Sequence, residues 1–230
     1  MFSGVEKNTY PFCYRALVVD NQDPMKLGRV RLQVPEIFGD LITDWAFAKT
    51  GSIGTGKDGI DKGYFFVPDV GDGVWCEFES GSPYHPRYSG VWHSVSNQPP
   101  VVALGIKDES VVPVHHATGT QEDPSDPRYP FNRVLKTKSG HLVELDDTKD
   151  KERIKIHHRS GTMIDIDHEG NIRILAQGSV YSEIMGDLSE RIHGNVSRIV
   201  EGNSTLDVQG EIVRKSDTHI VDIAPRIDHN

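Results

Sequence analysis

Apolar and polar residues alternate along much of this chain with a period of two, the spacing of a strand that buries one face. Val30, Leu32 and Val34 interleave with Arg29, Arg31 and Gln33, and the pairs Ile154/Ile156, Ile164/Ile166 and Ile172/Ile174 interleave with polar partners. No stretch of residues 1–96 has a helical period of apolar positions. Short runs separated by Gly, Pro and Asp (YRALVVDN, GRVRLQVPEI, WAFAKT, YFFVPDVGDGVWCEFES and YSGVWH) predict about five strands there.

Five alternating strands in so short a stretch suit a closed Greek-key barrel, of which the OB-fold is the commonest form. Residues 97–128 follow, rich in proline and acidic side chains and without a sustained period, and read as an extended or partly disordered linker. From Tyr129 the texture changes to strand pairs: VLKTKSGHLVELDDT, ERIKIHHRSG, TMIDIDHEG and NIRILAQG, with turns at Asp146–Asp147, Ser160–Gly161 and Glu169–Gly170. The predicted fold class is all-β throughout.

A longer period then takes over. Gly170, Gly178, Gly186, Gly194, Gly202 and Gly210 recur every eight residues, and Ile184, Ile192, Val200 and Val208 stand two places before the last four. Eight residues accommodate one short strand and a corner. Glycine suits the corner because it tolerates φ > 0 and lets backbones approach closely. A lone ribbon of this kind has two open edges and too few aliphatics for a core, and a single-chain β-helix needs about 18 or more residues per turn, so the period predicts several chains wound about one axis. Three copies, each giving one face of a triangular prism, close the sheet. The competing reading is a polar coil with accidental glycines; the aliphatics that keep step with the glycines speak against it. The expected organisation is a barrel at 1–96, a linker at 97–128, β-helix lead-in strands at 129–170 and an octad-repeat triple-stranded β-helix with its tip at 171–230.

Composition narrows the class. With 36% hydrophobic and 26% charged residues and a net charge of −9, the chain reads as soluble and lacks the basic face of a nucleic-acid binder. Nothing in MFSGVEKNTYPF has the basic and apolar regions of a signal peptide, and no apolar run approaches the roughly 18 residues of a bilayer span, which predicts synthesis in a cytoplasm. Cys13 and Cys76, far apart and flanked by aromatic and aliphatic residues, predict buried free thiols.

Several segments together resemble a known family. DNQDPMKLGRVRLQV (20–34), DVGDGVWCEFESG and YSGVWH are similar to the OB-fold of central baseplate spikes of contractile-tailed phages and of the VgrG spikes of type VI secretion. YPFNRVLKTKSGHLVELDDTKDKERIKIHHRSGT (129–162) resembles the start of the β-helix in the T-even-like spike, with its Tyr-Pro-x-Asn, Ser-Gly-His and Asp-Asp-Thr in that order. The octads resemble that family's Val-x-Gly repeats. The resemblance implies a homotrimeric, cell-puncturing structural spike in the virion tail baseplate. Implied partners are a trimeric hub protein at the OB-fold end, a PAAR-type tip protein at the C-terminal end, and transiently the bacterial envelope. A spike of a type VI secretion or tailocin system is the alternative, and a tail-associated cell-wall hydrolase a further one. The family's lysozyme domain, placed between barrel and β-helix, has only about thirty linker residues here, so muramidase activity does not carry over.

The remaining constellations give no chemistry. Gly51–Asp58 (GSIGTGKD) nearly spells a phosphate-binding loop, but Asp58 replaces the hydroxyl that would hold Mg²⁺. His115-His116 and His157-His158 are adjacent, so each pair would split across two faces of a strand. A tip metal on a threefold axis has only His219 and His229 to draw on. The acids Asp44, Asp58, Asp61, Asp69, Asp72, Glu77 and Glu79 show no spacing that assigns acid and base roles. Neither a Gly-x-Ser-x-Gly elbow nor a Cys/His nucleophile pair is present. The expectation is no catalytic residue, no metal and no cofactor. Near the end, Thr218 stands where the next glycine belongs and Pro225 ends the run, which reads as a cap. The resemblance makes Ile220, Ile223 and Ile227 candidates for the tip-protein seat; closure of the prism interior is the other reading of these three.

Overall fold

A closed barrel and a five-strand meander account for the regular elements of the computed structural model, which describes residues 9–49, 65–106 and 126–221. In the barrel, β1 (Cys13–Asp20) pairs antiparallel with β2 (Arg31–Gln33) and with β4 (Gly73–Phe78). Strand β5 (Pro86–Ser89) pairs antiparallel with β4, and β3 (Phe47–Ala48) runs parallel to β5. Val30 and Ala46 exchange two backbone hydrogen bonds of 3.1 and 2.7 Å, which join the start of β2 to β3 and close the ring. Sheet closure removes the open edges that a five-strand sheet would otherwise expose.

The alternation seen in sequence sets the core. Val30, Leu32 and Val34 are fully buried, against Ala16, Val18, Val74 and Cys76. Tyr10, Tyr14, Phe38 and Phe78 gather at one end of that core with ring centroids 5.1–6.4 Å apart, mostly edge to face, the arrangement the ring quadrupole favours.

Four expectations change in this half. The run GRVRLQVPEI is not strand to its end: Pro35–Phe38 winds into a one-turn helix, α1, because proline presets φ at the first helical position and Val34 O accepts the N–H groups of Ile37 and Phe38. YSGVWH leaves the sheet after Ser89. There Gly90 turns with φ 51°, and the Trp92 indole folds back over Gly73, donating to Ala16 O and Val74 O at 3.2 and 3.1 Å. A Cβ on Gly73 would lie 2.5 Å from that ring, so the position has no room for a side chain. Both cysteines are free, but only Cys76 is buried; Cys13, on the outward face of β1, is exposed. The segment read as linker is built at Val101–Leu104, a 3-10 turn whose Val102 is buried and whose Val102 O accepts from Asn132 Nδ2 at 3.0 Å.

The second sheet is an antiparallel meander of β6 (Asn132–Lys136), β7 (Leu142–Asp146), β8 (Arg153–His157), β9 (Met163–Ile166) and β10 (Ile172–Leu175). Turns fall at the predicted Ser160–Gly161 and Glu169–Gly170, whereas Asp146 ends β7 and the β7–β8 turn comes later, at Lys149–Asp150, with Asp150 at φ 62°; at the β9–β10 corner Gly170 takes φ 81°, in the region that disfavours a side chain. The chain divides into two units, Met1–Val180 and Tyr181–Asn230. In the second unit, residues 181–221 form no ladder and are exposed throughout. A strand is defined by its hydrogen-bonded neighbour, and the predicted octad strands have none within one chain.

Candidate functional site

The second sheet is inverted relative to a sheet that folds for itself alone. On one face, cross-strand pairing aligns Leu135, Val143, Ile156, Ile164 and Ile174 in one row and Leu145, Ile154, Ile166 and Ile172 in the next. Eight of these nine aliphatics are 38–73% exposed, Ile166 being half-buried. Such a continuous apolar face on a single chain marks a surface built to be covered.

Charged side chains dominate the other, buried face, beside a row of Leu142, His157 and Met163. Glu144 faces Lys155, Lys155 faces Asp165, Asp165 faces Arg173, and Asp146 faces Arg153. The sign of charge thus alternates from strand to strand, which favours each cross-strand neighbour. Arg153 Nε lies 3.3 Å from Asp165 Oδ1, Arg173 pairs with the other carboxylate oxygen, and Asn132 Nδ2 donates to Glu144 Oε1 at 2.7 Å. Burial pushes the Glu144 carboxyl above its ordinary range, a rise that the Asn132 hydrogen bond and Lys155 oppose.

The octad array carries the same logic. Its backbone bends at 177–178, 185–186, 193–194, 201–202 and 209–210, each time at the residue before a glycine and at the glycine itself. Asp217–Thr218 bends in the same register, so the corner persists where the sequence suggested that the repeat breaks off. Of the two reasons expected for the glycines, the left-handed corner needs revision. Gly170 alone of the six has φ in the left-handed region, and a Cβ on any of the six meets nothing within 4 Å. Neither backbone strain nor crowding within one chain demands glycine from Gly178 to Gly210.

Ile184, Ile192, Val200 and Val208 are 42–54% exposed, as is Ile220 at 53%. A second aliphatic register escaped the sequence reading: two residues after the corner stand Ile172, Val180, Leu188, Val196, Ile212 and Ile220, with Ser204 the exception. Its signal was in plain view, since positions two before and two after a corner share a strand face. Ile220 therefore belongs to the repeat itself. Ile223, Ile227 and His229 lie outside the described residues, as do Gly51–Asp58, Asp61 and His115-His116.

Other sequence candidates resolve into structural roles. His157 is buried and His158 exposed, on opposite faces as adjacent strand residues must be. His158 instead meets His141 from the facing strand, ring centroids 4.5 Å apart, while its Nδ1 accepts from Ser160 N at 3.1 Å. Among the described residues no three His, Cys, Asp or Glu side chains converge as metal ligands. Asp44 caps Trp45 N, Asp72 caps Asp69 N, Glu77 pairs with Lys49 at 2.9 Å and Glu79 pairs with Arg87. Burial pushes the Cys76 thiol up to about 12, and burial together with Glu77 raises Cys13, so neither is a ready thiolate nucleophile. A groove of about 350 Å³ beside β3 and β5, lined by Trp45, Phe47, Tyr84 and His85 with Lys49, Glu79 and Arg87, spends its charges on those ion pairs.

Strand order β2-β1-β4-β5-β3, closed between Val30 and Ala46 and with β3 parallel to β5, is an OB barrel. After it in the chain comes the sheet whose aliphatic face is exposed. Residues 14–93 match the family described as type VI secretion system/phage-baseplate injector OB domain. The chain is also similar to Protein Gp5 of Vibrio phage KVP40, 31% identical over 110 residues, which covers 45% of this chain and 25% of that protein. It thus spans about a quarter of the length of that curated relative. The sequence resemblance holds: this is a baseplate spike-like protein, all-β, of a kind that resides in the virion tail baseplate. No helix among the described residues is long and apolar enough to cross a membrane.

Proposed function

We propose that the chain is a structural spike at the centre of a contractile phage tail, a homotrimer that caps the tail tube and hub and punctures the host envelope when the sheath contracts. The observation that carries this reading is the double row of exposed aliphatics from Leu135 to Ile174, continuous in sequence with octads that have no ladder partner of their own. Two further copies cover that face and supply the missing strand neighbours at once. Burying an isoleucine gives about 1.5–3 kcal/mol, so nine such positions per chain amply support association. Stiffness follows from intertwining, because no strand leaves without breaking pairs to two neighbours.

In this reading the barrel docks on a trimeric hub, and Ile220, Ile223 and Ile227 help to seat a PAAR-type tip protein. The work is mechanical, without catalysis, a cofactor or nucleic acid. A spike of a secretion or tailocin machine shares the matched OB domain; similarity to a phage protein favours the virion. Light scattering and circular dichroism of the purified protein test the proposal. A β-rich trimer is expected, and a monomer with a weak β signal overturns it. Clearing in a peptidoglycan zymogram would overturn the absence of catalysis.

A further inference from the structure

The octads contain a device for choosing their own register. Residues an even number of places from a corner glycine share one face, whose aliphatics from Val180 to Ile220 are 42–73% exposed, against 61–93% for Tyr181, Met185, Ile199, Val213 and Val221 on the other, so the two ranges overlap but the first lies lower. The less exposed face is the one that carries both aliphatic registers. From Gly178 to Val221 its charged residues occupy a single octad position, four after the corner: Glu190, Arg198 and Arg214.

We infer that in the trimer proposed above, on which this inference rests, Glu190 of each chain pairs with Arg198 of a neighbouring copy, and that three such pairs fix the register of the chains. In a three-chain prism each octad crosses one face. The next rung on that face therefore comes from a neighbour's following octad, about 4.7–4.9 Å away. Equivalent octad positions of successive octads then stack directly, which sets Glu190 against Arg198. A lone charge in that interior is strongly disfavoured, whereas a pair at strand spacing is tolerated.

Such a lock is needed because glycines and aliphatics repeat every eight residues and scarcely distinguish the correct register from a slip of one octad. A slipped neighbour sets Glu190 against another Glu190 or against Leu206, and Arg198 against Arg198 or Arg214. Buried polar groups are best attested as selectors of this kind, at some expense in stability.

Charge reversal tests the pair. Arg198→Glu and Glu190→Arg, each alone, are expected to lower the dissociation temperature of the trimer by about 10 °C or more, since each places three unmatched like-charge contacts inside. The double reversal Glu190→Arg/Arg198→Glu is expected to recover most of that loss. Single variants within about 2 °C of a trimeric parent, as a solvated site predicts, or a double variant no better than the singles, overturn the pair alone. A parent protein that scatters as a monomer overturns the trimer and the pair together.

Discussion

Asp23 holds the β1–β2 connection together. Its carboxylate accepts the backbone N–H groups of Met25 and Leu27 at 3.0 and 2.8 Å, and the Arg29 guanidinium at 2.6 Å. That guanidinium also lies over the Trp45 and Phe47 rings, 5.6 and 5.5 Å from their centroids. Arg29 first, then the backbone donors, holds the Asp23 carboxyl well below the usual carboxylate range against the opposing effect of burial. A depressed folded-state pKa gives stability that is complete above the unfolded value, near 3.9, and is lost as pH falls toward the folded value. The melting temperature of the parent is thus expected to drop below about pH 4. Asp23→Asn is expected to melt lower than the parent at neutral pH and to lose less in that acid window; equal pH profiles for the two proteins would refute the assignment. This residue lies inside DNQDPMKLGRVRLQV, and its role shows why the segment was legible as a signature: the spacing of Asp, Gly and Arg is the geometry of one capped loop.

Strands were legible where alternation met turn residues, and were misread where a local backbone preference overrode the pattern. Val30, Leu32 and Val34 lie inward as expected, whereas Pro35 diverts the run into a helix and Gly90 ends the strand before Trp92. For β6 to β10 the period was right, but alternation alone does not say which face is buried. A single chain buries the charges, because Glu144, Lys155, Asp165 and Arg173 satisfy one another across strands, and leaves the isoleucines exposed, the face that the proposed trimer would cover. That inversion makes opposite predictions for the two faces. Ile154→Ser/Ile156→Ser is expected to leave the monomer folded by circular dichroism while raising the concentration needed for trimer by at least about tenfold. Asp165→Asn, which removes the carboxylate that Arg153 and Arg173 share on the buried face, is expected to cost up to about 3–5 kcal/mol in denaturant unfolding of the chain itself. Equal effects of the two changes on folding would contradict the assignment of faces.

At the scale of the whole molecule, the glycine octad was visible from sequence, and two causes were expected of it, left-handed corners and close approach of backbones; of the six glycines only Gly170 shows the first. From Gly178 to Gly210 the lone chain offers open space around each missing Cβ; in the proposed trimer, the demand for glycine would come from another copy's backbone passing close to the corner. This separates monomer from assembly in one experiment. Gly194→Ala/Gly202→Ala introduces no clash within the chain and restricts its unfolded state, which by itself stabilises by about 0.4–1 kcal/mol per site. Packed against two neighbours, the same methyl groups overfill the corner at a cost of about 1–3 kcal/mol each, repeated in three chains. The variant is therefore expected to form trimers that dissociate at lower temperature than the parent's, with no loss in the melting of the barrel. A trimer unchanged or strengthened by the two alanines would show that the corners stay open in the assembly, and the period would then need a cause other than close approach between chains.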